Sequence, residues 1–250
     1  MPEKVKTEWQ EFKTLMRSAP PVAVSLLACA VFSMNLLANK SISLPISWMA
    51  LDCGIIISWL VFLIMDVVTK HFGPKAATEL SVFATAVSLF FSFVFFTVSC
   101  IPGVWGGSLS ETMGANPTVN EAINKTFGGT WYIVFGSALA FLIASTVHNF
   151  LNYGVGKLFK RNPDSFFVYF SRSYLSVAAG QLIDNLVFSL TVSRIFFGWT
   201  LTQCLVCALT GMLAELIFQL IFTPIGYKIC VRWKHLNVGS EYFKSRKDEN

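Results

Sequence analysis

Four stretches of otherwise apolar sequence carry side chains able to exchange protons or hydrogen bonds: Asn35 with Asn39, Asp66 alone, Gln181 with Asp184, and Glu215 with Gln219. Residues three or four apart on an α-helix share a face, so each pair presents its two polar groups on one side. A carboxylate beside an amide both accepts from and donates to a planar polar ligand such as a nucleobase. The same pairs can instead bind one another and hold a bundle together, and spacing does not separate the two readings. Asp52, Arg172 and Arg194 complete the ionisable groups within or beside the apolar runs. The two arginines stand near run ends, where a long side chain reaches water, whereas Asp184 and Glu215 stand near mid-run. Asp66 lies about one turn from the end of its run. Ionisable groups inside a membrane are costly and usually face a bundle interior or a wet cavity, which makes these residues the candidate site.

Other chemistries find little support. His71, His148 and His235 are scattered, with no nucleophile–base constellation and no glycine-rich phosphate loop. Cys204 and Cys207 form a C-x-x-C inside an apolar run, but a zinc site wants four convergent ligands; they read as small packing residues. The remaining cysteines imply no disulfide framework. The chain is therefore expected to be no enzyme, with no catalytic residue, no metal and no cofactor.

The elements that must position the polar groups are long apolar helices. Hydrophobic residues make up 54% of the chain and charged residues only 13%, about half the charged share of a soluble domain. A bilayer core needs roughly 20 apolar residues of helix. Residues 21–39, 49–69, 76–100, 130–153, 170–193 and 200–230 meet or approach that length. The expected fold is thus an all-α polytopic membrane bundle of six transmembrane helices spanning 20–233, with a polar N-terminal segment, 1–19, and a basic tail, 234–250. Pro20 and Pro21 suit the first helical turn, where the missing amide had no partner, and no cleavable signal peptide is expected.

Lysine and arginine distribution orients the bundle. Four basic residues precede residue 20, two stand at 70 and 75, four lie between 157 and 172, and six follow from 228 onward, all on one side of a six-span chain; Lys40, Lys125 and Arg194 fall on the other. Both termini are expected in the cytoplasm. The net charge of +5 then expresses topology and not nucleic-acid binding. The longest connection, 101–129, carries Pro102-Gly103, Gly106-Gly107, Gly114 and Asn116-Pro117, which are turn formers. It reads as an outer loop, either a lid over an outward-facing cavity or a plain surface loop, with Trp105 and Trp131 as interfacial anchors. The small-residue run Ser176-Val177-Ala178-Ala179-Gly180 allows close helix approach, which places the fifth helix deep and points Asp184 inward. Pro224 is expected to kink or interrupt the sixth helix.

Several segments, in this order and spacing, resemble the queuosine precursor transporters, also called the vitamin uptake transporter family. They are Asn35-Leu36-Leu37-Ala38-Asn39-Lys40; Met65-Asp66-Val67-Val68-Thr69-Lys70-His71-Phe72-Gly73 followed by Ala76-Ala77; Arg172 with Ser176, Gln181, Asp184 and Phe188; and Thr223-Pro224 with Tyr227. The resemblance implies a bacterial inner-membrane importer of 7-deazaguanine precursors of the tRNA base queuosine, 7-cyano-7-deazaguanine or 7-aminomethyl-7-deazaguanine. It also implies a helical arrangement similar to the substrate-binding subunits of energy-coupling-factor transporters. Carried over by motif, Asn39, Asp66, Arg172, Gln181 and Asp184 become the pocket, beside Asn35, Glu215 and Gln219 from the spacing argument. The family commonly has Glu where Lys70 stands and Lys where Glu215 stands. Both signs are reversed here, which suggests that the second and sixth helices touch and that the exchange preserves an ion pair between Lys70 and Glu215.

Three functional readings follow: an importer with one central cavity opened alternately to each side, the binding subunit of a multicomponent importer whose ATPases are separate chains, and a membrane scaffold. The partners expected are the lipid bilayer, a small nucleobase-like substrate and no nucleic acid. A homo-oligomer and a transporter partner chain both stay open. A scaffold would satisfy its polar pairs internally and have no cavity, and an enzyme would bring Asp66 and Asp184 together around a metal or a reactive water.

Overall fold

Proline and hydroxyl residues open the helices, and the apolar runs between them set their lengths. The computed structural model describes residues 3–42, 51–105, 117–128, 131–159, 164–196 and 198–248. Helix α1, Glu3–Ser18, meets α2, Pro21–Leu37, at 104°. Leu15 and Ala19 are buried at that corner, so α1 lies across the end of the bundle while α2 enters it. The short strands β1, Ser41–Ile42, and β2, Leu51–Asp52, pair antiparallel with Ser41 opposite Asp52. Helices α3, Ile55–Phe72, and α4, Pro74–Cys100, follow, joined at Gly73. Then come α5, Pro117–Gly128, and α6, Trp131–Leu158. Ser165 opens α7, Phe166–Phe188, by accepting the Val168 amide at 3.2 Å. A five-residue π turn, Ser189–Ser193, and the single-turn helix α8, Arg194–Phe196, extend it. Thr200 and Gln203 form a reciprocal cap for α9, Leu201–His235, and α10, Ser240–Asp248, ends the described chain.

Among the described residues, five helices are long and apolar enough to cross a membrane, and the bent pair α1–α2 makes a sixth candidate. The all-α polytopic fold is as the sequence indicates. Alternating directions bring both termini to one end of the bundle, where Phe72 at the end of α3 packs on Tyr242 and Phe243 of α10. Helix α7 packs along α6 and α9, and α4 packs against α2 and α6. Ser176, Val177 and Gly180 are buried in the α7 interface, in keeping with the deep placement expected from the small-residue run.

Three expectations need correction. The second span begins at Ile55 and not at 49, because Leu51 and Asp52 are extended and the Asp52 carboxylate takes the Gly54 amide at 2.7 Å, turning the chain into the helix; Met49 lies outside the described residues. Pro224 does not interrupt its helix: α9 runs through it to His235, with the neighbouring Thr223 hydroxyl donating to the Gln219 carbonyl at 2.5 Å. The connection 101–129 is not all loop, since Pro117 starts α5. That helix packs on α4 through Phe95 and Phe127, stacked at 4.7 Å, and holds the Trp105 indole N–H through Asn124 at 2.6 Å. Gly106, Gly107, Gly114, Asn116 and Thr130 lie outside the described residues.

The core is tied together by one carboxylate. Asp66 of α3 is fully buried. Its Oδ1 accepts from Asn152 Nδ2 of α6 at 2.6 Å, and its Oδ2 accepts from the Ser173 hydroxyl of α7 at 2.6 Å and from Gln219 Nε2 of α9 at 2.8 Å. His148 Nε2 of α6 lies 3.0 Å from Oδ1, a contact in distance that is not aligned as a hydrogen bond. Asn152 also accepts from Arg172 Nε at 2.8 Å and donates to Ser176 at 3.1 Å. One amide thereby stands between the buried guanidinium and the buried carboxylate. Next to it, Thr69 donates to Asn149 at 3.1 Å and Asn149 to Thr78 at 3.2 Å, which adds α4 to the network.

Two outcomes follow for stability. Asp66→Ala strands three buried donors and leaves Arg172 without its nearest opposite charge. It should cost about 3–5 kcal/mol, read as loss of the folded fraction in denaturation from mixed micelles. A methyl at Gly226 would sit 2.4 Å from Tyr169 Oη and 2.8 Å from Leu63 Cδ1, so Gly226→Ala should cost about 1–3 kcal/mol by overpacking in the same assay.

Candidate functional site

A cavity lies in the half of the bundle away from the termini. Its walls are the end of α2, strand β2, the first turn of α3, α6, the second half of α7 and the first half of α9. The polar lining consists of Asp52, Ser58, Ser137, Gln181, Asp184, Asn185 and Glu215, set among apolar Met34, Leu51 and Phe188. Its free volume is about 50 Å³, room for a few water molecules at about 10–15 Å³ each. The β1–β2 pair sits at its rim, with Leu51 and Asp52 in the wall.

Apart from the Cys207 thiol, the ionisable groups of the lining are of one kind. Three carboxylates, Asp52, Asp184 and Glu215, face this small space, and the described lining holds no lysine, arginine or histidine. Glu215 Oε1 accepts from the Ser58 hydroxyl, whereas Glu215 Oε2, Asp184 Oδ1 and Gln181 Nε2 have no hydrogen-bond partner. A buried polar group left unmatched costs about 1–3 kcal/mol, so each of the three atoms is a point where a ligand gains by bonding. Asp52 stands before α3, and burial pushes its carboxyl up to about 6, against the pull of the Gly54 and Ile55 amides.

The residues singled out from sequence divide between this cavity and the Asp66 network. Gln181 and Asp184, three apart on α7, come together in the cavity wall. The α9 pair is split: Glu215 faces the cavity and Gln219 bonds Asp66. Asp66 and Arg172 belong to the network and do not line the cavity. Asn35 is fully buried behind it, donating to Ser88 of α4 at 3.0 Å and accepting from Ser137 of α6 at 2.7 Å. Asn39 donates to the Leu36 carbonyl at 2.9 Å, closing the end of its own helix. Asp66 and Asp184 do not form one centre, because Ser173, the α7 partner of Asp66, is eleven residues or about 16 Å of helix from Asp184.

The ion pair expected between Lys70 and Glu215 does not form. Helices α3 and α9 do pack together, but Glu215 meets α3 at Ser58, twelve residues or about 18 Å of helix from Lys70. Lys70 instead lies 3.4 Å from Asp164, which also pairs with Lys234. Lys234 beside it holds the Asp164 carboxyl below its ordinary range.

Sequence reading missed His148, Asn149 and Asn152, and the signal was there: three polar residues at positions i, i+1 and i+4 in an apolar helix. It also left Asn185 and Asp52 outside the pocket. Asn185 adjoins Asp184, and Asp52 reaches the cavity only because the chain before α3 is extended.

Residues 52–229 match a family model described as "Putative vitamin uptake transporter". No curated protein and no solved structure matches the chain. The matched segment begins at Asp52 in the cavity rim and runs through most of α9, so it contains the three carboxylates of the cavity and the Asp66 network, while Met34, Ala38 and Leu51 of the cavity wall precede it. With well over half of its length matched, this chain belongs to the vitamin uptake transporter family.

Proposed function

We propose that this protein carries a planar, nitrogen-rich base into the cell, a 7-deazaguanine precursor of queuosine, and that it favours the cationic aminomethyl form over the neutral nitrile. The observation that carries this reading is the cavity lined by Asp52, Asp184 and Glu215 with no basic side chain among its described lining. A deazaguanine offers a ring N–H and an exocyclic amine for one carboxylate and a carbonyl for the unpartnered Gln181 amide. An aminomethyl group, protonated at neutral pH like a lysine amine, offsets a second carboxylate. The nitrile offers no donor and no charge, and leaves that carboxylate without compensation.

Location supports the same reading. Basic residues gather at the terminus-bearing end, which in a bacterial inner membrane faces the cytoplasm. The cavity then opens towards the outside, and the Asp66 network separates it from the cytoplasm. At about 50 Å³ the cavity is contracted, and a base enters when the β1–β2 rim moves off it. A scaffold whose polar pairs are all satisfied internally would have neither this cavity nor its three unpartnered atoms.

Binding to purified, detergent-solubilised protein tests the proposal with the two precursors and guanine. The aminomethyl base should bind most tightly, and Asp184→Asn should weaken it by about 10–100-fold, the equivalent of one charged hydrogen bond of about 1.5–3 kcal/mol. Equal affinity for all three bases, unchanged by Asp184→Asn, would overturn it.

Acidity gives a second test. A carboxyl whose folded value is raised to about 6 is ionised above that pH and neutral below it. Affinity for the aminomethyl base should therefore fall as pH drops through about 6, while affinity for the nitrile stays level. Asp52→Asn should remove the share of that step that Asp52 contributes. The same raised value means that the fold gains stability from neutral Asp52 in acid and loses it as pH rises through about 6, a trend opposite to that of ligand binding.

A further inference from the structure

At the other end of the bundle, the last turn of α3, the start of α4 and the last two turns of α6 enclose a second cavity of about 450 Å³, within the size range of small-ligand sites. Arg172 of α7 is in its wall, with Lys70, Lys75 and Lys157, and no aspartate or glutamate is among the described lining. Arg172 is only 5% exposed. Its Nε is spent on Asn152 at 2.8 Å, whereas its buried Nη2 has no hydrogen-bond partner. The carboxylate nearest in the network, Asp66, already takes donors from Asn152, Ser173 and Gln219. The guanidinium lies against the backbone of Gly156, where a methyl would come within 2.8 Å of Nη1 and 3.0 Å of Cζ. Glycine at that place admits the planar group to the cavity wall.

The lysines contribute unequally. Lys70 pairs with Asp164, and Lys75 with Glu11 and Glu79, so both are largely neutralised. Lys157 sits over the Tyr153 ring at 4.4 Å, and among the described residues no carboxylate lies within ion-pair distance of it. A buried guanidinium with a spare N–H and an ammonium at one opening match a tetrahedral oxyanion, to which arginine donates from its fork and lysine as a point charge. We propose that Arg172 and Lys157 form a phosphate-binding site, filled either by the headgroup of an anionic lipid or by a soluble phosphate. At the end of a membrane bundle, basic pockets between helices suit such headgroups. The site is separate from the carboxylate cavity and of opposite charge, so it does not rest on the substrate reading above.

The test uses the purified full chain in two arms. One compares sodium phosphate with sodium chloride at matched ionic strength. The other compares mixed micelles containing phosphatidylglycerol with micelles containing phosphatidylcholine, adding native mass spectrometry to count retained lipid. At ten times Kd the phosphate-bearing probe should raise Tm by about 3–6 °C. A gain with phosphatidylglycerol alone assigns a lipid headgroup, and a gain with both assigns a site open to free phosphate. Lys157→Gln and Arg172→Gln should abolish the gain, and Lys40→Gln, at the opposite end, should keep it. Lys157 is exposed and outside the Asp66 network, so its variant decides the matter even where Arg172→Gln fails to fold. No gain in either arm, or a gain that Lys157→Gln leaves intact, would overturn the proposal.

Discussion

The hydrogen bonding of one buried carboxyl group, that of Asp66, organises this bundle. A carboxyl group in a medium of low dielectric is tolerated only when its oxygens are met by well-placed partners, and Asp66 draws donors from α6, α7 and α9 at once. Meeting them fixes the rotation and the height of each helix relative to α3. A slip of one residue on α7 would carry Ser173 away from Asp66 and, on the same helix, move Gln181 and Asp184 out of the cavity wall. The Asp66 network and the cavity are thus two consequences of one register.

That register divides the polar interior. On the terminus-bearing side both oxygens of Asp66 are met by donors, while the His148 ring nitrogens, Tyr169 Oη and Arg172 Nη2 have no hydrogen-bond partner. On the far side, carboxylate and amide atoms stay unmatched around a small space. The Asp66 bonds favour a rigid barrier, because parting the helices there breaks several buried bonds together. The unmatched side favours a ligand, because binding removes a cost that the empty protein bears. A transporter needs both, a barrier on one side of its site and a binding surface on the other. Here the bonded Asp66 network and the unmatched cavity groups are stacked along the same four helices, α3, α6, α7 and α9.

Much of the fold was legible because lipid leaves few options: apolar runs of sufficient length become helices, and the clustering of lysine and arginine orders them. The limits of the runs were less so. Residues 51–54 adjoin the apolar run with no proline to mark its start, and the Asp52–Gly54 turn excludes them from the helix. The i,i+3 spacing of Gln181 and Asp184 correctly indicated a shared face, since both residues belong to one helix and the neighbours on that face do not change its geometry. The same logic failed to foresee how Glu215 and Gln219 divide. They share a face but stand one turn apart, and at this point one turn is the distance between two compartments. Exchange of charge at positions 70 and 215 suggested contact between them, yet sequence carries no depth, and about 18 Å of helix separates Lys70 from the residue that Glu215 meets.

Cys207 offers a direct probe, because it is partly buried in the wall of the carboxylate cavity. With the other cysteines replaced, the rate at which a small alkylating reagent modifies Cys207 reports on occupancy of that space, and a protein retaining only the exposed Cys29 serves as reference. If the cavity is the substrate site, saturating 7-aminomethyl-7-deazaguanine should slow modification of Cys207 by tenfold or more, about 1.4 kcal/mol of protection, and leave Cys29 unaffected. Modification of Cys207 at the same rate with and without saturating ligand would place the substrate elsewhere and contradict the account.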